Sequence, residues 1–399
     1  MLLKPHHRMY AAAFLLDFSV AIALTALPFF IFERLGGGPA MSGAVGAFQM
    51  AIYAAGCLLS ARYVTGARSG LYLAIIGVAA FALPFTLIPW MTSPLVCGVA
   101  TSLPFFGLAL AWPAMQSWLG GEPDPEARAR HLTGFNTATA FGFTFSPLFA
   151  GPLYDFDYRL PFFLLFVVGV VVVLLLRSLP KEVRVAESNV SGDADDSEAD
   201  TFSPGLLYAS WGATLSANSL FAALRSVYPS RVETLVSEGN LDLWSGWQPA
   251  WLLSVGPATA FSWLAFILPL ATVASFTVLG RTKSWRGRFD YMVAGQLIAA
   301  ASLIALAHTH SVGMMLLCFI AVGANYGLCF FSSLYYSLAV ASEKHRRAAI
   351  NEGLLGVGAV LGGIGTGYAA GAIGLTAAFQ WTPVAVMVAV AVQVWLLRR

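Results

Sequence analysis

Residues Tyr10–Ile31 read YAAAFLLDFSVAIALTALPFFI, and Asp17 is the one charged side chain in that run of 22. A bilayer core about 30 Å thick takes roughly 20 helical residues at about 1.5 Å each, so the run is long enough to cross it. It follows Lys4 and Arg8 but exceeds the apolar stretch of a cleaved signal and offers no small-residue cleavage site. It reads as a retained first span.

The rest of the 399 residues repeats the pattern: 58% are hydrophobic and 11% charged, outside the range of ordinary soluble domains. A net charge of +2 is too small to suggest a nucleic-acid partner, and the bilayer is the expected environment. The four cysteines, Cys57, Cys97, Cys318 and Cys329, fall inside apolar runs and read as packing residues; no CxxC spacing suggests a metal.

Apolar runs between polar or Gly/Pro breaks place spans at 10–32, 41–61, 70–91, 94–118, 132–153, 160–179, 205–229, 252–279, 290–308, 312–337, 348–372 and 375–397. The shortest breaks are Met91–Pro94 and Gly371–Gly374, and an even count depends on both. With twelve spans and an inside N-terminus, 18 of the 22 lysines and arginines lie on the cytoplasmic side, and only Arg34, Arg159, Arg225 and Arg231 lie outside. One span more or fewer in the middle would destroy that asymmetry. The expected fold is therefore an all-α membrane protein of twelve transmembrane helices in two pseudo-symmetric six-helix bundles, residues 1–180 and 205–399, with both termini cytoplasmic. Residues 181–204 between them include the acidic, Ser/Gly-rich stretch Glu182–Thr201, which cannot bury enough apolar surface to fold alone and reads as a disordered cytoplasmic linker. The outer loop Ser230–Ser254 holds Trp244, Trp247 and Trp251, an interfacial aromatic belt.

The halves repeat. A shift of 216 residues carries Arg130, Asn136, Gly142, Pro147 and Gly151 onto Arg346, Glu352, Gly358, Gly363 and Gly367, and Gly107 onto Gly323. A shift of 201 carries Asp17 onto Asn218 and Pro28 onto Pro229. Parallel duplication of a six-helix unit is a transporter plan.

Over essentially its whole length the chain resembles the major facilitator superfamily. Its loop after span two, Gly56, Ser60, Ala61, Arg62, Gly66 and Arg68, keeps the base and glycine of that family's signature but lacks the acid. The loop Gly280–Arg288, GRTKSWRGR, keeps basic residues and glycine. Gly142, Ser146, Pro147, Ala150 and Gly151 are similar to the Gly-Pro motif of the antiporter branches, whereas span four lacks the arginine of the proton-coupled drug exporters. The resemblance implies a secondary transporter that works by alternating access, with its solute near the midplane between the halves.

An ionisable side chain at bilayer depth costs about 2.5–3.5 kcal/mol on insertion scales, so Asp17 needs a reason. Symporters of the superfamily often use a first-span aspartate for protons, so the resemblance implies a proton-coupling role; a structural hydrogen bond to a neighbouring helix is the alternative. Polar residues at helical spacing supply cavity candidates: Gln49 with Tyr53, Trp112 with Gln116, Asn218 with Arg225, and Asn325, Ser333 and Tyr336 down span ten with Tyr326 beside them. Interhelical hydrogen bonding is the competing reading for each. Cytoplasmic gate candidates are Arg62, Arg68, Arg130, Asn136, Arg286, Arg288, Arg346 and Glu352, the last near the start of span eleven, where a helix N-terminus and arginines favour a carboxylate. The glycines of span eleven, Gly358 to Gly371, follow no strand and read as helix packing.

No Walker pattern is present, and His6, His7, His131, His308, His310 and His345 lie near span ends or in loops without a nucleophile. The expectation is a monomeric carrier in a plasma or inner membrane, not an enzyme, moving a small solute with protons as coupling ion and using no cofactor or metal. A transporter-like receptor or assembly factor without translocation is the alternative class.

Overall fold

The computed structural model describes residues 4–60, 67–120, 125–180, 204–338 and 344–398. Every regular element among them is helical: α1 (Pro5–Glu33), α2 (Pro39–Ser60), α3 (Ala67–Phe85), α4 (Pro94–Ser102), α5 (Pro104–Gly120), α6 (Pro125–Phe145), α7 (Pro147–Phe156), α8 (Leu160–Arg177), α9 (Pro204–Ser226), α10 (Pro229–Ser237), α11 (Pro257–Arg281), α12 (Asp290–His308), α13 (Val312–Leu338), α14 (Lys344–Ile373) and α15 (Leu375–Leu397). Prolines open nine of these helices, where a missing N–H removes no intrahelical bond and the fixed φ is already helical.

Ten helical stretches of the described residues are long and apolar enough to cross a membrane. They account for every expected span except the fifth and seventh. At the fifth, Pro147 interrupts the helix, separating α6 from α7, and α6 begins at Pro125 rather than at residue 132, taking in the charged turn before His131. At the seventh, α9 is present but rich in serine, threonine and asparagine; most of it is buried, so protein rather than lipid surrounds those side chains.

Both short breaks exist. A 3₁₀ turn at Ile88–Trp90 and the extended Met91 close the third span, and Gly374, at φ +87°, separates α14 from α15 in a conformation that favours glycine. The fourth span is broken at Pro104 into α4 and α5. The expected eighth span starts at Pro257 rather than residue 252, because Leu252–Ser254 form a 3₁₀ turn followed by extended Val255. The expected outer loop opens with a helix, α10, which buries Val232 and Leu235. Beyond it the backbone of Asp242 and Leu243 bonds to that of His310, Val312 and Gly313, and the Trp244 ring lies against Gly313. Trp244, Trp247 and Trp251 are all exposed.

The chain forms two compact units, Met1–Gly36 with Phe48–Val190, and Gly37–Ala47 with Ser191–Arg399. In the first, α1 is central, crossing α6 and α7 and packing on α8, while α3 packs on α5 and α8. In the second, α9 is central against α13, α14 and α15, and α12 packs on α13 and α15. The first turns of α2 belong to the second unit: the Ser42 hydroxyl donates to the Ser226 carbonyl at 2.6 Å, and a Cβ on Gly43 would sit 2.2 Å from the Gly363 oxygen.

The two central crossings repeat residue for residue. A Cβ on Gly142 would meet the Phe14 carbonyl oxygen at 2.3 Å, and a Cβ on Gly358 would meet that of Leu215 at 2.7 Å. These pairs are related by the same shifts of 216 and 201 that align the sequence. One turn further on, Ser146 donates its hydroxyl to the Phe18 carbonyl at 2.7 Å, and Gly362 lies against the equivalent carbonyl of Ser219. The match of Gly107 with Gly323 is looser: Gly107 packs on Gly77 of α3, Gly323 on Leu268 of α11.

Large apolar side chains remain on the outside, including Leu95, Val167, Leu174, Val278, Ile298 and Val388. So much exposed apolar surface suits lipid rather than water.

Candidate functional site

In the first unit, Asp17 is partly buried on the central helix, between the buried Leu16 and Ser19. Gln49 is 1% exposed, and its amide reaches the Thr101 carbonyl at a long 3.4 Å; Tyr53, one turn along α2, is partly exposed. Trp112 is partly buried and meets Phe135 edge to face at 5.8 Å, joining α5 to α6. Gln116, Arg130 and Asn136 are exposed.

In the second unit, the polar stripe of α13 divides between two faces. Asn325 is 2% exposed against Gly295 of α12, its Oδ1 accepting from the Cys329 thiol at 3.5 Å. Tyr336 accepts the Gly287 N–H at 3.0 Å on its phenol oxygen. Asn325 and Tyr336 thus face α12 and the loop that precedes it. Tyr326 and Ser333 turn to α9 and α14. Tyr326 packs on Phe221 at 4.7 Å and stacks on Phe330 at 5.9 Å, and the Arg225 guanidinium lies 5.9 Å from the Phe221 ring. These four residues make an aromatic surface with one cation, and Tyr326, Phe330 and Arg225 are each partly exposed.

Ser333 donates to the Asn351 side chain, while Ser337 accepts the Trp211 indole N–H at 2.9 Å. Asn218 donates its amide to the Leu355 carbonyl at 2.5 Å. α9, α13 and α14 are therefore joined by side-chain hydrogen bonds as well as by close packing, which offsets part of the cost of burying polar groups. Asn325 Nδ2, Ser332 Oγ and Asn351 Nδ2 remain buried without partners.

Among the gate candidates, Arg62 lies outside the described residues, as do the side chains of Arg68, Arg346 and Glu352. The linker Glu182–Thr201 also lies outside them. Arg286 lies 4.9 Å from the Tyr335 ring, and Arg288 pairs with Asp290 at 2.6 Å, two residues along. What organises that loop is Trp285, 3% exposed, whose indole N–H is shared by the carbonyls of Leu279 and Thr282. A lone tryptophan among basic residues was the available signal, and reading the segment for charge alone passes over it.

Sequence reasoning also misses Gln296 and Gln393, fully buried on α12 and α15 and exchanging amide bonds of 2.8 and 3.1 Å. The four cysteines are free thiols, three of them buried.

Many long helices with outward apolar surface, each unit wound around one central helix, define a polytopic membrane protein. The sequence profile of the Major Facilitator Superfamily matches residues 9–235, more than half of the chain, and the protein belongs to that superfamily. It is a multi-pass membrane transporter. Its fold is similar to that of a bacterial homologue of the human lysosomal transporter Spinster in an inward-facing, unoccupied conformation, at 17% identity over 99% of this chain and 96% of that one, with a TM-score of 0.75. It is also similar to the nucleoside transporter NupG, at 13% identity over all of both chains and a TM-score of 0.76. The POT family transporter PepTSo matches at 13% identity over 100% and 98%, with a TM-score of 0.73. A search of curated protein sequences finds no match.

Proposed function

We propose that the protein is a secondary active carrier of a small solute, a twelve-span protein working by alternating access with both termini cytoplasmic and residues 181–204 as the linker between its halves. The observation that carries this reading is the repeated crossing, Gly142 on Phe14 and Gly358 on Leu215, within a member of the superfamily. Two units built alike from successive stretches of one chain suit a carrier whose halves exchange roles about a midplane solute.

Asp17 is the proton-coupling residue of this proposal. It occupies the position on α1 that Asn218 holds on α9, and a carboxylate there exchanges a proton where the amide donates a fixed bond to Leu355. Gln49, Tyr53, Trp112, Gln116, Asn218, Arg225, Tyr326 and Ser333 contact solute or the residues that hold it. Asn325 and Tyr336 act indirectly, by setting α13 against α12 and its preceding loop. Arg62, Arg68, Arg130, Asn136, Arg286, Arg288, Arg346 and Glu352 belong to the cytoplasmic gate. Protons and a lipid bilayer are the only other partners proposed, for a monomer in a plasma or inner membrane.

Reconstituted vesicles test the reading. Because the named relatives include a nucleoside transporter and a POT family transporter, radiolabelled uridine and dialanine are the first probes, followed by any compound that raises the melting temperature of the purified protein. Saturable flux driven by an imposed pH gradient is expected for at least one. Compounds that stabilise the protein yet never cross the membrane would instead favour a receptor.

A further inference from the structure

Where α1 begins, the adjacent His6 and His7 come together with His131, which is distant in the sequence. The rings of His6 and His131 stack with centroids 4.4 Å apart and planes 28° apart, and His7 meets His6 edge to face at 4.3 Å. The Tyr10 phenol oxygen lies 2.7 Å from His131 Nδ1. The Tyr10 ring reaches that position because Gly134 has no side chain, as a Cβ there would sit 2.8 Å from Tyr10 Cζ. Arg8, between His7 and Tyr10, donates to the Ser178 carbonyl at the end of α8 at 2.9 Å. The start of α1 is thus held on one side by α8 and on the other, through imidazole and phenol, by α6.

We propose that His6, His7, His131 and Tyr10 form a proton-binding site that clamps the first turns of α1 onto α6 while its imidazoles are uncharged and releases them on protonation. Imidazole is the side chain whose ordinary titration falls between about pH 5 and 8. Neutral rings stack favourably, whereas two imidazolium rings at 4.4 Å repel. Of the charged side chains next to these rings in sequence, Lys4 immediately precedes α1, Arg8 lies on it and Arg130 stands beside His131 on α6, all cations, and Arg8 reaches the end of α8. The contact with Tyr10 does not resist the change, because a protonated His131 donates from Nδ1 to the phenol oxygen and so keeps it, and the cost falls on the stack. The clamp is present above the histidine range and is lost as pH falls through it. It is separate from Asp17 and does not depend on the chain being a carrier.

Hydrogen exchange in the purified full-length protein tests this, with rates corrected for the intrinsic effect of pH. The peptide spanning His6–Leu16 is followed from about pH 8 to about pH 5, with Val167–Leu176 of α8 as internal reference. Exchange in the first turns of α1 is expected to rise at least tenfold relative to the reference, in a step within the histidine range. His6→Phe preserves a ring to stack on His131 and removes one charge, and is expected to keep α1 protected throughout. A wild-type profile without a step, or an equal rise in α8, overturns the proposal even if the variant does not fold. So does a His6→Phe profile that matches the wild type.

Discussion

Gly142 brings α6 so close to α1 that a Cβ in its place would sit 2.3 Å from the Phe14 carbonyl oxygen. The obstacle is backbone, which cannot turn aside as a side chain can, so a larger residue forces the two helices apart. Gly142→Ala and its counterpart Gly358→Ala are each expected to cost about 1–3 kcal/mol, the usual range for overpacking, seen as a lower melting temperature in detergent. Gly353→Ala serves as the control, since nothing lies within 4 Å of a Cβ there.

Gln296 and Gln393 exchange two amide bonds in the interior of the second unit. Replacing either alone with leucine takes the amide partner from the other, although Gln296 keeps a 3.3 Å bond to the Met292 carbonyl, and is expected to cost about 1–3 kcal/mol. The double variant Gln296→Leu/Gln393→Leu removes both polar groups and is expected to recover part of that loss. A double-mutant cycle on thermal stability measures the coupling, and strictly additive losses would show that the pair does not act as a unit.

Trp285 anchors the loop between α11 and α12, and Tyr336 holds the same loop through the Gly287 N–H. Trp285→Ala is expected to cost about 3 kcal/mol through lost packing and two lost acceptor contacts. Cleavage by trypsin at Lys283, Arg286 or Arg288 should become faster by at least tenfold, because those sites then reach a protease in an extended form.

Asp17→Asn separates exchange from coupling. If Asp17 carries the proton, the variant is expected to retain counterflow of solute across the vesicle membrane while losing at least tenfold of its pH-driven accumulation. Undiminished accumulation would assign Asp17 a structural role like that of Asn218, with the proton carried elsewhere.

Much of the architecture was legible in the amino-acid order. Run length sets how far a helix extends, and proline and glycine act on the turn they occupy. Helix breaks at Met91–Pro94 and Gly374 therefore stand where composition places them, and α12, α13 and α15 match the expected spans within a residue at either end. The shifts of 201 and 216 that align the sequence also relate the two glycine–carbonyl contacts, although the carbonyls themselves were found only in the packed structure. Side-chain partners were not legible in the same way. These helices are apolar on most sides, so hydrophobic periodicity does not say which face turns inward, and each residue advances the face by about 100°. Asn325 and Tyr326 are consecutive, yet one faces α12 and the other α9. His6 and His131 are 125 residues apart, and nothing local to either announces the other. Chain order determined most of the spans and the repetition at their central crossings, because those follow from local chemistry. Only the rotation and crossing of packed helices decided which polar groups meet, because that depends on contacts distant in sequence.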